Sequence, residues 1–262
     1  MKEGLLAHSI YKTGSRDISL IARTVPTLSF YTRFLGIVLR ASNLARRGGY
    51  DGVAWSASSF EVLRLLEGIG LRVQIFGLEN LRKIDGPCVI IGNHMSMMET
   101  LLLPAFVQPL RPVTFVVKES LLNYPIFKHI MRARDPVAVS RTNPRQDLKT
   151  VLEEGERRLQ NGISIIVFPQ TTRSDTFDPG QMSSIGVKLA KKCGVPVIPL
   201  ALKTDAWQNG KYFKDFGVID VSKKACFAFG EPFLVEGKGT EEQQAINQFI
   251  VGKLGSWSES GE

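Results

Sequence analysis

A histidine and a glutamate lie five positions apart in the segment Gly92–Glu99, directly after the apolar run Cys88–Ile91. At that spacing the Glu99 carboxylate can orient the His94 imidazole through one ring nitrogen, while the other nitrogen takes a proton from a substrate hydroxyl. The pair predicts acyl transfer to an alcohol without an enzyme nucleophile. Because short spacings recur by chance, the alternative is a loop histidine beside a solvated glutamate.

Two further blocks place arginines after apolar, β-favouring runs. Arg141 follows Pro136–Ser140, and Arg173 lies in the threonine-rich turn that follows Ile163–Phe168. The carboxyl ends of parallel strands meet at one edge of an α/β sheet, and ligands bind at that edge. We therefore expect both arginines to lie near the histidine–glutamate pair.

These blocks resemble the glycerophospholipid acyltransferase family, which includes the lysophosphatidate acyltransferases, over about residues 72–235. His94 and Glu99 are similar to the first motif of the family, and Arg141 to the end of the second motif. Lys118 and the segment Tyr124–Phe127 are similar to the link between these two motifs. The residues similar to the third and fourth motifs are Phe168, Pro169, Thr172, Arg173, Ser174, Val195, Pro196 and Pro199.

The resemblance implies roles for these residues. His94 is expected to be the general base and Glu99 the residue that orients it. Independently of the resemblance, residues 94–99 span a predicted strand end and a helix start, so backbone N–H groups there are expected to be free to bind an oxyanion. The expected ligands of a substrate phosphate are, in descending order, Arg173, then Thr172 and Ser174, then Arg141 and Lys118. For Arg141 the alternative is a surface ion pair.

The third motif departs from the family at two positions. Gln170 stands where the family has glutamate, which removes a negative charge from the acceptor site. Thr171 stands where the family has glycine, and a β-branched residue resists positive φ. The histidine–glutamate pair is unchanged, so the departures concern the acceptor and not the class of reaction.

The resemblance implies an enzyme that moves a fatty acyl group from acyl-CoA or acyl-carrier protein to the free hydroxyl of a lysophospholipid. The foremost acceptor is 1-acyl-glycerol-3-phosphate, which would give phosphatidate. Two alternatives stay open: another lysolipid acceptor, ornithine-type or lipid A-type, and a non-catalytic basic lipid-binding protein. A serine hydrolase is disfavoured, since the sequence holds no G-x-S-x-G elbow.

Composition and charge limit the kinds of partner and cofactor that this chain is expected to bind. The chain of 262 residues is long enough for one α/β domain, and its net charge of +8 favours an anionic membrane surface. Nucleic acid is not expected, because basic and aromatic residues are not interleaved on a recognisable nucleic-acid fold. The three histidines are widely separated and the three cysteines show no CxxC spacing. We therefore expect no metal and no cofactor besides the thioester co-substrate.

The first 70 residues are predicted to form a helical, membrane-interfacial segment, and residues 71–262 an α/β acyltransferase domain. Residues 1–15 are predicted to be irregular. A basic amphipathic helix is expected within Ile18–Ala45, starting after Pro26, and a second helix over Ser59–Ile69 with Ser58 in a capping box. The sequence shows no secretory layout and no apolar run of about 18 residues. These features predict a peripheral or monotopic protein at the cytoplasmic face of the membrane.

Beyond residue 70, apolar runs alternate with helical patterns, which predicts an α/β fold with a mostly parallel or mixed central sheet flanked by helices. The predicted strands are Arg72–Phe76, Cys88–Gly92, Val113–Lys118, Val137–Ser140, Ser164–Phe168, Val197–Leu202 and Ala225–Phe229. The predicted helices are Ser96–Leu103, Tyr124–Met131, Pro144–Gln160, Gln181–Lys192 and Glu241–Leu254, followed by a loose tail over Gly255–Glu262.

Overall fold

The computed structural model describes residues 9–170, 172–211 and 214–259, so Thr171 lies outside the described residues. The strands in this part of the chain form one eight-stranded sheet with the order β1-β2-β8-β7-β3-β6-β4-β5. Their bounds are β1 (Ile10–Lys12), β2 (Arg72–Phe76), β3 (Val89–Gly92), β4 (Val113–Lys118), β5 (Val137–Val139), β6 (Ser164–Val167), β7 (Val197–Lys203) and β8 (Lys224–Phe229).

Parallel pairing gives the sheet one edge at which several strands end together. Strands β7, β3, β6, β4 and β5 are neighbours and run parallel, so their carboxyl ends share that edge. Strand β2 pairs with β8 in parallel, whereas β1 pairs with β2 and β7 pairs with β8 in antiparallel orientation. The prediction of an α/β fold with a mostly parallel or mixed sheet is confirmed.

Helices cover both faces of the sheet. Their bounds are α1 (Leu20–Thr24), α2 (Pro26–Arg46), α3 (Gly52–Gly68), α4 (Met98–Val107), α5 (Phe127–Ala133), α6 (Pro144–Gln160), α7 (Ile185–Cys193) and α8 (Thr240–Glu259). Ile90 of β3 belongs to a buried cluster with α2, α3 and α4, whereas Val89 and Ile91 belong to one with α6, α7 and α8. Because successive strand residues face opposite sides, a strand covered on both faces needs an unbroken apolar run.

Two predictions about the N-terminal segment are wrong. Strand β1 lies within the segment 1–15 that the sequence predicts to be irregular. It is extended because it pairs with β2. The second helix starts at Gly52, earlier than Ser59. Asp51 and not Ser58 caps it, because the Asp51 carboxylate accepts the Ala54 N–H at 2.8 Å.

Other helix bounds also differ from the predictions. Helices α4, α5 and α7 begin two to four residues later than predicted, and α4 continues to Val107 through Pro104. Helix α8 runs on to Glu259, through most of the predicted loose tail. The helix Pro144–Gln160 matches its predicted bounds, with the Asn143 side chain accepting the Gln146 N–H.

Helix α2 contacts the body of the protein through aromatic side chains. Phe30 and Phe34 of α2 pack against Trp207, with ring centroids 5.0 and 5.7 Å from the indole. The opposite side of this region exposes large apolar side chains, which are Leu20, Ile21, Val25, Leu28, Leu35 and Leu39. Within the described part of the chain, no helix combines the length and the apolar character needed to cross a bilayer. The division of the chain at residue 70 stays a prediction.

Candidate active site

Strand β3 ends at Gly92, and the next residue, Asn93, continues the contact with β7 through its side chain. Gly92 packs so closely against β7 that a Cβ would lie 2.9 Å from the Leu200 carbonyl oxygen. The buried Asn93 side chain then makes both hydrogen bonds to Leu202, donating to its carbonyl and accepting its N–H at 2.8 Å each. The main chain of His94 is thereby left to other partners.

The His94 ring is held on two sides. Its Nδ1 lies 2.8 Å from Glu99 Oε1, and its plane stacks on Phe168 with centroids 4.6 Å apart and 4° between the planes. A carboxylate accepts and does not donate, so Nδ1 carries the proton in the neutral ring. Nε2 is therefore the nitrogen able to take a proton, and His94 lines the cavity described below.

Glu99 is buried among donors. Besides His94, its carboxylate accepts the Met95 and Ser96 N–H groups at 2.7 and 2.9 Å, the Ser96 hydroxyl at 2.9 Å and the Thr204 hydroxyl at 2.6 Å. Burial by itself raises the pKa of this carboxyl, but the hydrogen bonds from His94, Thr204 and Ser96 outweigh it and the net pKa is lowered. Glu99 is thus held as a carboxylate with a fixed orientation.

This network contradicts one prediction about the loop 94–99. The N–H groups of Met95 and Ser96 bind Glu99, that of Met98 binds the Ser96 hydroxyl at 3.1 Å, and that of His94 binds Gln170 Oε1 at 2.6 Å. The expectation that backbone N–H groups of this loop are free for an oxyanion is wrong for these four groups. Their acceptors are the Glu99 carboxylate, the Ser96 hydroxyl and the Gln170 side chain.

The turn after β6 carries the predicted phosphate ligands. Arg173 Nη1 donates to Asp215 Oδ1 at 2.7 Å, with both side chains mostly buried. Thr172 Oγ1 accepts from Lys214 Nζ at 3.3 Å, and the Ser174 hydroxyl lies 3.3 Å from that of Thr176. Arg173 lines the same cavity as His94, whereas the two hydroxyl residues are in the adjoining part of the turn.

Arg141 and Lys118, the last-ranked of the expected phosphate ligands, also line this cavity. Arg141 follows β5 with a left-handed backbone, φ 61°, and its N–H binds Asp147. Burial lowers the pKa of Arg141 and the nearby charge of Arg173 lowers it further. Lys118 stands exposed at the end of β4. Three cations at this edge of the sheet thus line the same cavity as the histidine, which is an arrangement suited to a phosphate.

Most of the remaining cavity lining is apolar. The cavity walls come mainly from α2, α3, β4 and α5, and Phe168, which stacks on the His94 ring, also lines the cavity. The apolar lining includes Phe34, Val38, Trp55, Val62, Phe115, Val117, Leu121 and Ile130. A base, a group of cations and an apolar slot thus meet in one place, which is what a lipid with an anionic headgroup requires.

Sequence reasoning missed two residues of the site. Asp215, which pairs with Arg173, lies in a loop 42 positions away and belongs to none of the motifs. Thr204, which binds Glu99, is a fully buried polar residue just after β7. Its position after a parallel strand of the same edge was a usable signal, whereas the Asp215 loop carries no signal in the sequence.

A buried histidine–glutamate pair at the carboxyl edge of a parallel sheet, beside cations and an apolar cavity, defines a class of α/β acyl-transfer enzymes. A family model described as Acyltransferase matches residues 72–203, and the chain belongs to this family. The resemblance found in the motifs and the prediction of an acyltransferase enzyme are therefore confirmed.

Individual relatives agree with this assignment. A Pseudomonas aeruginosa protein named 1-acyl-sn-glycerol-3-phosphate acyltransferase is 31% identical over 223 residues, which cover 85% of this chain and 79% of that protein. A Mycoplasma pneumoniae protein named probable 1-acyl-sn-glycerol-3-phosphate acyltransferase is 32% identical over 136 residues, about half of each chain. The crystal structure of the 1-acyl-sn-glycerophosphate (LPA) acyltransferase PlsC from Thermotoga maritima has a TM-score of 0.62 at 24% identity, covers 88% of this chain and 93% of that chain, and shows the same fold.

Proposed function

We propose that this acyltransferase transfers a fatty acyl group from an acyl thioester to the free hydroxyl of 1-acyl-glycerol-3-phosphate and so produces phosphatidate. The observation that carries the proposal is that His94, whose Nδ1 lies 2.8 Å from Glu99 Oε1, lines the same cavity as Arg141 and Arg173. The names of these two relatives support this acceptor. The donor is acyl-CoA or acyl-carrier protein.

The chemistry follows from the geometry of the base. His94 Nε2 takes the proton of the acceptor hydroxyl as its oxygen bonds to the thioester carbonyl carbon, and the imidazolium is stabilised by Glu99. The tetrahedral intermediate then collapses, the carbon–sulfur bond breaks, and the imidazolium returns its proton to the departing thiolate. No acyl-enzyme forms in this sequence of steps.

The remaining cavity residues bind the two substrates. Arg173 offers a planar fork of N–H groups to the acceptor phosphate, and Arg141 and Lys118 add positive charge beside it. Thr172 and Ser174 contribute hydroxyl donors from the turn. The apolar walls take up acyl chain, since each methylene removed from water contributes about 0.8 kcal/mol.

The N-terminal helices support a peripheral position at the membrane surface, which the proposal places at the cytoplasmic face. Leu20, Leu28 and Leu35 are about half to four-fifths exposed, at 79%, 63% and 49%, and exposed arginines such as Arg33 and Arg40 accompany them. Apolar side chains next to arginines are typical of interfacial helices on anionic lipid.

A product assay with the purified protein tests the proposal. One acyl thioester is combined with vesicles that contain lysophosphatidate, a zwitterionic lysophospholipid or an ornithine lysolipid. We expect acylation of lysophosphatidate, loss of at least about 10³-fold in kcat for His94→Ala, and unchanged vesicle binding by that variant. Unchanged turnover in His94→Ala contradicts the base. Acylation only of a phosphate-free lysolipid contradicts the acceptor.

A further inference from the structure

The peptide groups on both sides of His94 are held by a single turn. The His94 N–H donates to Gln170 Oε1 at 2.6 Å, and the His94 carbonyl accepts the Ser174 N–H at 3.0 Å. Phe168, just before this turn, stacks on the imidazole. The turn that the sequence associates with the phosphate therefore also fixes the position of the residue proposed as the base.

Gln170 is the side chain in this arrangement. It is only 4% exposed, and its Oε1 accepts the buried N–H group of His94, which lies two residues beyond the end of β3. A buried N–H without a partner is costly, so this contact strongly favours one placement of the His94 main chain.

We infer that Gln170 is a positioning residue that fixes the main chain of His94, and not a residue that contacts the acceptor substrate. The inference rests on the proposed role of His94 as the base. Gln170 accepts the main-chain N–H of His94, and Glu99 binds the ring through Nδ1. Together these contacts fix the position of Nε2 at the cavity.

The amide also matters through its lack of charge. A carboxylate at this position can accept the same N–H, but it would add a second negative charge beside His94, next to that of Glu99. Burial of that charge at a position that is only 4% exposed is costly. An amide provides the acceptor oxygen without this effect.

Three variants test the inference in the full-length protein. Gln170→Met keeps the size of the side chain and removes the acceptor, Gln170→Glu restores an acceptor and adds charge, and Gln160→Met makes the same change at an exposed helix end. A misplaced base lowers kcat, by about 10²-fold for a displacement near 1 Å. For Gln170→Met we expect a loss of about 10- to 100-fold in kcat with the KM for lysophosphatidate within about two-fold of the original.

The charged variant gives a second, independent result. Gln170→Glu is expected to recover most of the kcat lost in Gln170→Met, because it restores an acceptor for the His94 N–H, and its KM for lysophosphatidate should stay within about two-fold of the original. Gln160→Met should match the unmodified enzyme in both measurements. If Gln170→Met instead raises KM by about ten-fold or more at an unchanged kcat, Gln170 contacts the acceptor and the inference is wrong.

A measurement without turnover separates this inference from the proposed function. The chain holds three histidines, so selective ¹⁵N-histidine labelling gives a spectrum in which amide exchange at His94 can be followed. Exchange should be slow in the unmodified protein and in Gln160→Met, and at least about ten-fold faster in Gln170→Met. Equal exchange rates overturn the inference. Faster exchange in a protein that does not acylate lysophosphatidate supports the inference and contradicts only the proposed acceptor.

Discussion

The Arg173 guanidinium donates to the Asp215 carboxylate across 2.7 Å, and the two side chains are each 17% exposed. The predicted phosphate ligand is thus already bound to an anion of the protein itself. A substrate phosphate has to approach the remaining N–H groups of Arg173, in the cavity that Arg141 also lines. The carboxylate therefore limits how strongly this arginine can attract an anion.

Removal of that carboxylate charge should strengthen phosphate binding. For Asp215→Asn we expect the KM for lysophosphatidate to fall by about three- to ten-fold, and inorganic phosphate to inhibit at lower concentration, because repulsion of the incoming anion is removed. Asp205→Asn is the matched control, since Asp205 pairs with Lys223 at the same 2.7 Å and is also 17% exposed. A higher KM for Asp215→Asn would instead mean that Asp215 holds Arg173 in its binding orientation.

Neutralisation of Glu99 should damage both the base and the fold. In Glu99→Gln an amide N–H₂ faces donors that the carboxylate accepted, and at least one of them loses its partner. We expect a loss of at least about 10²-fold in kcat and of about 2–4 kcal/mol in the free energy of unfolding, measured by steady-state kinetics and urea titration at pH 7.

A matched exposed site controls for the chemical change itself. Glu153 of α6 is 59% exposed, and the unfolding free energy of Glu153→Gln should stay within about 0.5 kcal/mol of the original. If Glu99→Gln is as stable and as active as this control, the buried hydrogen bonds of Glu99 contribute nothing to either property.

The lowered pKa of Glu99 has a consequence for stability in acid. A carboxyl whose pKa is lower in the folded than in the unfolded chain stabilises the fold above its unfolded pKa, and this stabilisation is lost as the pH falls through the folded pKa. Thr204→Val removes one hydrogen bond to the charged form, so the Glu99 pKa should rise. Urea midpoints measured from neutral to acid pH should then show a smaller total fall in Thr204→Val, and this fall should be complete at a higher pH, because the folded-state pKa lies closer to the unfolded one. Superimposable pH profiles would contradict this linkage.

The exposed apolar side chains of the N-terminal helices should contribute to membrane binding. Leu28 is 63% exposed on α2, and Leu234 is 59% exposed after β8. Leu28→Asp should weaken sedimentation with anionic vesicles by about ten-fold or more, through lost apolar burial and added repulsion, while Leu234→Asp should bind as before. Equal binding by both variants would show that membrane contact lies elsewhere.

The sequence predicts the parts of this fold that depend on local pattern. Unbroken apolar runs identify β3 and β6 because a strand covered on both faces needs them, and Asn143 with Pro144 marks the start of α6 because capping is a local interaction. The three-residue strand β1 has no such pattern, since its order comes from pairing with β2.

In the candidate site, too, the sequence predicts the contact within one short loop but not the contacts between distant segments. The motif spacing brings His94 and Glu99 together because both lie on one short loop after β3. The pairing of Arg173 with Asp215 and the capture of the loop N–H groups by Glu99 and Gln170 depend on side-chain positions in the folded chain. Periodicity and spacing carry no information about such contacts.

Asn93 shows how strictly this edge of the sheet is specified at a residue that lies behind the base. Its side chain imitates a peptide group, with one donor and one acceptor that both engage Leu202. Deamidation to aspartate would leave two acceptors, one of them directed at the Leu202 carbonyl, in a place that is 1% exposed. Chemical ageing of this single amide is therefore expected to weaken the contact between the ends of β3 and β7, next to the histidine in the chain.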